Sequence, residues 1–241
     1  MARDETMLQM VCEDPSAVLF RFYRWSEPTL SLGYFQSYGE ALEDPRWRNV
    51  PIVRRPTGGG AIWHHHELTY AIVVPRDHAL AKDAASLYFL IHRIAAHTLE
   101  GWHVKTDQRW VGKSERDRSA RVPASERSFL CFNDHAPNDV LIGRNKVIGS
   151  AQRRRKGAVL QHGSILFRQS DRTPEFPGIL DAFKGSAHLL DEVAWPSHLA
   201  STLSSSLAKS LEHTPWPESM LRHSETIERD VYRNDAWTRR R

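Results

Sequence analysis

The chain predicts an α+β or mixed α/β domain, on three observations. Short β-branched and aromatic runs bounded by turn residues fill its first two-thirds. One long segment, Ala84 to Leu99, has helical spacing. From about Pro174 onward the chain turns polar and helical, a tail of about 174–241 on one domain spanning 1–241.

The elements follow in order. Asp4 to Val11 reads as the end of a helix, and Val18 to Tyr23 alternates as a strand does. Thr29 to Gly33 and Pro51 to Arg55 are further short strands, the latter running into Thr57, Gly58, Gly59 and Gly60. Glu67 to Val74, ELTYAIVV, is a buried strand. In the helical segment Leu87, Leu90, Ile91, Ile94 and Leu99 fall on one broad face. Arg109 to Arg127 is charged and nearly free of apolar residues, so it reads as a loop. Asp139–Ile142 and Lys146–Gly149 are strands of a hairpin turned at Gly143-Arg144-Asn145. Ala158 to Phe167 is another strand, and Pro215-Trp216-Pro217 sets off a last helix, Glu218 to Tyr232.

Bulk properties exclude several classes. No apolar run is long enough for a membrane span, and MARDETMLQM lacks the apolar centre of a signal peptide. With 2 cysteines far apart, free thiols in a reducing cytoplasm are expected. A net charge of +4 permits an acidic partner. No nucleic-acid recognition module accompanies it.

Three units can carry chemistry. The first is RRPTGGGAIWHHHELTY, Arg54 to Tyr70. Glycines after a strand let backbone N–H groups approach a phosphate, a carboxylate or an acyl oxyanion, with Arg54 and Arg55 beside them. A tight turn with solvated arginines explains the run equally well. On a strand only His64 and His66 of the three histidines would share a face, and no third metal ligand is placed by spacing. One positioned histidine and two exposed ones are expected.

The second unit runs from Asn138 to Phe167. Lys146 lies in an apolar strand, where it could face a ligand or guard a sheet edge. Gly149, Ser150 and Ala151 form a small-residue patch. Gln161, His162 and Gly163 place polarity inside an apolar strand, as hydrogen-bonded structure or as a site floor. The third unit is Cys131 in Phe129-Leu130-Cys131-Phe132, where a buried cysteine is ordinarily inert.

Taken together, RRPTGGGAIWH, KVIGSAQRRRKGAVLQHGSILF, FYRWSEPTLSLGYFQ and ERDVYRNDAW resemble the biotin/lipoate protein ligase superfamily over almost the whole chain. The resemblance implies a central mixed β-sheet flanked by helices and a hydrophobic acyl tunnel. It implies that Arg54, Thr57, Gly58, Gly59 and Gly60 wrap the acyl chain and its activated carbonyl, with His64 after them. It makes Lys146 the lysine that contacts the acyl carbonyl, Gly149–Ala151 the loop beside it, and Gln161–Gly163 the following strand. Cys131, in a Cys-Phe pair before the hairpin, resembles the nucleophile of cysteine octanoyltransferases. The ligases' usual further C-terminal domain and the family's N-terminal strand find no counterpart here.

The implied activity is transfer of an octanoyl group from acyl carrier protein, through Cys131, to a lysine of a lipoyl domain. Acceptors would be the 2-oxoacid dehydrogenases or the glycine cleavage H protein. Such a transferase requires no cofactor. The alternative, a lipoate–protein ligase, would use ATP and Mg²⁺ to form a lipoyl-adenylate. Neither reading calls for nucleic acid or a membrane. Arg153–Lys156, following the Gly149–Ala151 patch, would steer acidic carriers.

Overall fold

The computed structural model describes residues 1–107, 128–183, 191–207 and 212–241. The Arg109–Arg127 segment therefore lies outside the described residues. The helices are α1 (Ala2–Glu13), α2 (Tyr38–Glu43), α3 (Ala84–Glu100), α4 (Ile179–Ala182), α5 (Trp195–Leu207), α6 (Glu218–Ile227) and α7 (Asp235–Thr238). The strands are β1 (Leu19–Tyr23), β2 (Thr29–Leu32), β3 (Ile52–Arg54), β4 (Ile62–His64), β5 (Glu67–Pro75), β6 (Val140–Ile142), β7 (Asn145–Arg154) and β8 (Ala158–Leu166).

Two sheets result. The larger has the order β1-β5-β8-β7-β6 and is antiparallel at every pairing. The smaller, β3-β2-β4, holds the parallel pair β2–β3 and so supplies the mixed character. Period-2 alternation decides the layering. One face of β5 buries Leu68, Tyr70, Ile72 and Val74 with Val159 and Ile165 of β8, against α3 and α5. The other face buries Ala71, Val73 and Leu160 under Met7, Leu8 and Val11 of α1. Because both faces are covered, every residue of β5 and of β8 is buried, the polar Gln161, His162 and Ser164 included.

Local chemistry sets the ends of α3. Asp83 caps it by accepting from the amides of Ala85 and Ser86, and Gly101 follows its last turn. Leu87, Ile91, Ile94 and Leu99 are buried as the spacing predicts, whereas Leu90 is only half-buried. The tail is not an appendage. Trp195, Leu199 and Leu203 of α5 join the main core, and Ile227 and Tyr232 pack with Ala2 of α1. The last predicted helix ends early, at Ile227, and continues as a wider π-type turn over Glu228–Tyr232.

The β6–β7 hairpin turns at Gly143-Arg144, with Gly143 at φ +61°, as its sequence suggests. β7 then runs to Arg154, well beyond the predicted Gly149, so Gly149, Ser150 and Ala151 are strand rather than loop. Its register carries one irregularity: Leu141 pairs with Lys146 and Val140 with Ile148, leaving Val147 as an extra residue. This bulge reverses the alternation, so Lys146 shares a face with Gly149 and Ala151.

Close strand packing makes Gly163 irreplaceable. A Cβ there would lie 2.3 Å from Ser150 Oγ, 2.5 Å from Tyr70 Cε1 and 2.8 Å from the Gly149 carbonyl oxygen. Gly163→Ala should therefore destabilise the chain by about 1–3 kcal/mol, the usual range for overpacking. Urea unfolding measures it, and an unchanged midpoint would contradict this packing.

Candidate active site

The site forms where the two sheets meet. Cys131 opens a single 3₁₀ turn, Cys131–Asn133, and is half-buried. Its amide donates to the Ala61 carbonyl at 2.9 Å, and the Ala61 amide donates to the Phe129 carbonyl at 2.7 Å. These bonds lay the cysteine segment against the end of the glycine loop. Gly60 permits the approach, because a Cβ there would lie 2.8 Å from the Cys131 nitrogen. Gln36 fixes the same segment by donating to the Phe129 carbonyl at 2.9 Å.

Lys146 reaches Cys131 from β7. Its Nζ lies 3.8 Å from Cys131 Sγ and donates to the carbonyls of Cys131 at 3.2 Å and Asp134 at 3.1 Å. Asp139 completes the shell as an ion pair at 2.9 Å. Gly149 makes room for the lysine stem, since a Cβ there would stand 2.5 Å from Lys146 Cε. Lys146 is buried at 6% exposure, and Asp139 at 0%. The sheet-edge reading of Lys146 is thereby overturned: β7 lies between β6 and β8. Burial alone would lower the lysine's pKa, but Cys131 and the Asp139 carboxylate outweigh it and hold the ammonium above the ordinary lysine range. Lys146 is thus a fixed cation and not a proton acceptor at neutral pH.

The glycine loop turns its carbonyls inward. Arg55 donates to the carbonyls of Gly58 at 2.8 Å and Gly60 at 2.6 Å, and to the Ser31 carbonyl at 3.0 Å. Burial pulls Arg55 down to about 10, against the pull of Cys131. Gly59 holds φ +89°, which side-chain-bearing residues rarely adopt. Thr57 receives the histidine of β8: its hydroxyl donates to His162 Nε2 at 2.6 Å, while His162 Nδ1–H donates to Asp4 at 3.1 Å. Burial lowers the His162 pKa in spite of Asp4, so the ring is neutral.

A narrow cleft on this face is lined by Tyr23, Ile62, His64, Thr69, Gly149, Ala151, His162, Gly163 and Ser164. A larger surface cleft between α3 and α5, at Arg93, His97, Glu100, Thr202 and Ser206, lies across the sheet from Cys131 and has no link to it.

Several expectations change with these positions. Arg54 does not face the cleft. Its guanidinium, 0% exposed, donates to the carbonyls of Gly33, Tyr34, Gln36 and Thr238, tying β3 to the C-terminal ERDVYRNDAW segment. His64 lines the cleft, but both its nitrogens are engaged, Nδ1 by Glu67 and Nε2 by the Ser31 hydroxyl at 2.7 Å. His65 and His66 lie exposed in the β4–β5 turn, so His64 and His66 do not share a strand face. Ser150 and Gln161 point to the opposite side of the sheet, because strand alternation separates them from Gly149, Ala151 and His162. The Arg153–Lys156 cluster sits at the far end of β7. Arg153 donates to the Pro56 carbonyl, Arg154 to the carbonyls of Ala81 and Asp83, and Arg155 pairs with Glu5. All three arginines are half-buried and bound within the chain, and Lys156 beside them is exposed.

Asp139 and the groups behind it carry no motif in the sequence. Tyr88 of α3 donates to Asp139 Oδ1. His92 donates to the Asn138 carbonyl at 2.8 Å and accepts from the Ser150 hydroxyl at 2.6 Å. The available signal was polarity on a helix face that is otherwise apolar.

This geometry defines a catalytic domain of the lipoate-ligase type. The chain belongs to that family: residues 1–192 match the lipoyl protein ligase A/B catalytic domain. It is 31% identical to octanoyltransferase LipM of Brevibacillus brevis, over 100% of this chain and 94% of that protein. It is 36% identical to octanoyltransferase LipM of Geobacillus kaustophilus, over 69% of this chain and 60% of that one. Among solved structures, lipoate-protein ligase A bound with ATP superposes with a TM-score of 0.73 at 20% identity, covering 99% of this chain and 92% of that one. The bi-partite lipoate protein ligase of Thermoplasma acidophilum, solved with its E2 lipoyl domain, gives 0.70 at 18% identity, over 99% of this chain and 89% of that one.

Two stability measurements follow. Lys146→Ala leaves the Asp139 carboxylate buried without its cation, so it should destabilise the fold by about 3–5 kcal/mol. Removing Asp139 as well should recover part of the loss in urea unfolding.

Burial holds His92 at about 4, against the opposing pull of Asp139 and the Asn138 carbonyl. An unfolded histidine titrates near 6.5, so the unfolded chain binds the extra proton between those values. The His92 contribution, about 3 kcal/mol, is present above pH 6.5 and is lost as pH falls toward 4. His92→Gln should flatten the fall in unfolding free energy over that window; an equally steep fall in the variant would contradict a neutral His92.

Proposed function

We propose that this chain transfers an octanoyl group to a lysine of lipoyl carrier domains, with Cys131 as the nucleophile. The observation that carries the reading is the Lys146 ammonium, fixed by Asp139 2.9 Å away and held 3.8 Å from the Cys131 sulfur. The octanoyltransferases it resembles support the same activity.

The reaction divides into two exchanges. The Cys131 sulfur attacks the carbonyl carbon of the donor thioester, the donor C–S bond breaks, and the carrier leaves as its thiol. An acceptor lysine amine then attacks the Cys131 thioester. The C–S bond to Cys131 breaks, an amide forms, and the amine's proton ends on sulfur. Thioester exchange is nearly balanced, so the amide step drives the sequence. Lys146 supplies positive charge where each tetrahedral intermediate places negative charge on oxygen. The Gly58 and Gly60 carbonyls are bound to Arg55 and so are not offered to a ligand. The acyl chain lies in the cleft between Ile62, Tyr23, Gly149, Ala151 and Gly163.

In this reading acyl carrier protein is the donor, and the lipoyl domains of 2-oxoacid dehydrogenases or the glycine cleavage H protein are the acceptors. The enzyme needs no cofactor and works in the cytoplasm, which suits its 2 free cysteines. Among the described residues no helix is long and apolar enough to cross a membrane.

Incubation with octanoyl carrier protein should add one octanoyl group to Cys131, seen by mass spectrometry and removed by hydroxylamine. Cys131→Ala should abolish both adduct and transfer to a lipoyl domain. Full transfer by Cys131→Ala would overturn the nucleophile assignment, and product formed only from octanoate, ATP and Mg²⁺ would instead establish the adenylate-forming ligase.

A further inference from the structure

Helix α3 reaches the Lys146–Asp139 pair from behind. Tyr88 and His92 are four residues apart and share one face of α3, with ring centroids 4.1 Å apart. Tyr88 donates its hydroxyl proton to Asp139 Oδ1 and accepts the Ser150 amide at 3.2 Å. His92 donates to the Asn138 carbonyl at 2.8 Å. One helical turn thus holds the Asn138–Asp139 corner twice, at its carbonyl and at its carboxylate. The corner is a special one, since Asn138 sits at φ +70°.

The network behind it is closed. The Ser150 hydroxyl donates to His92, accepts from Tyr70 at 2.6 Å, and Tyr70 accepts from the Gln161 amide at 2.7 Å. Gln152 in turn donates to Gln161 at 2.8 Å. Packing does not require such a chain. Apolar residues would fill this face without the desolvation of an imidazole and two phenols. What the network supplies is a defined direction for each lone pair and proton, and so a fixed place for the Asp139 carboxylate. Lys146 has Asp139 as its one anionic partner among the described residues.

We propose that Tyr88 and His92 are positioning residues for acyl transfer: they set the Asn138–Asp139 corner, which sets Lys146 Nζ against the Cys131 sulfur. Neither touches the acyl group. Reacting groups must be held to within about 0.5 Å, so a small rotation of Asp139 is enough to matter. This inference rests on the reading of Lys146 and Cys131 as the acyl-transfer pair.

The test follows acylation of Cys131 by octanoyl carrier protein in the full chain, with melting temperature measured alongside. Tyr88→Phe keeps the ring and removes only the hydroxyl. Its kcat should fall about tenfold, a modest share of what removal of a direct oxyanion donor costs, while KM for the donor stays within about twofold. His92→Gln, which can donate and accept, should retain kcat within about threefold, and His92→Leu should lose about tenfold or more. Wild-type kcat in Tyr88→Phe, or equal losses in the Gln and Leu variants, would overturn the proposal. Should Tyr88→Phe fail to fold, the His92 pair decides alone. Lys146→Met separates the two levels. If it folds and acylates Cys131 normally, Lys146 has no part in acyl transfer and the positioning role falls with it, while Cys131 stands as the nucleophile; if it is inactive while Tyr88→Phe and His92→Leu are normal, only the positioning role fails.

Discussion

One extra residue in β7 governs the site. Without the bulge at Val147, strand alternation would send Lys146 to the α3 side of the sheet, among Tyr70, Ser150 and Gln161. With it, the lysine emerges beside Gly149 and Ala151, on the face that meets the glycine loop. A buried ammonium there is stable only because Asp139 stands 2.9 Å away. The cysteine, the cleft and the glycine loop are arranged around that cation.

The glycines are best understood through this constraint. Gly60 lets the Cys131 backbone close onto the loop, Gly149 lets the lysine stem pass, and Gly163 lets β8 seat against Ser150 and Tyr70. Gly33 does the same for the loop itself, since a Cβ there would lie 1.9 Å from the Gly59 carbonyl oxygen. Within the glycine run, Gly59 is the one that holds a positive φ. Within the run itself Gly60 serves close approach of backbone, and Arg55 binds the Gly58 and Gly60 carbonyls.

The histidines show a second theme. His64, His92 and His162 each have both ring nitrogens committed to neighbours, so each ring is locked in tautomer and orientation. None has a nitrogen left for a metal ion. They act as rigid, polar struts around the Lys146 ammonium and its neighbours.

The sequence by itself determined most of the strands, though neither β4 nor the full reach of β7, together with the amphipathic helix α3, the hairpin at Gly143 and the two motif blocks that frame the site. These are local signals, written in spacing and in turn residues. It also singled out Cys131 and Lys146, which lie on separate elements and share a site in space. Tertiary structure alone decided which neighbours of those motifs face the cleft. Arg54 and Arg55 are adjacent in sequence, yet one ties down the C-terminal segment and the other the glycine loop. Ser150 lies between Gly149 and Ala151 and points the other way. Asp139, Tyr88 and His92 carry no motif, and their roles depend on how α3 crosses the sheet. The physical reason is that side-chain direction follows strand register. A single bulge shifts that register, and its place is fixed by pairing with β6, not by the residues of β7 alone.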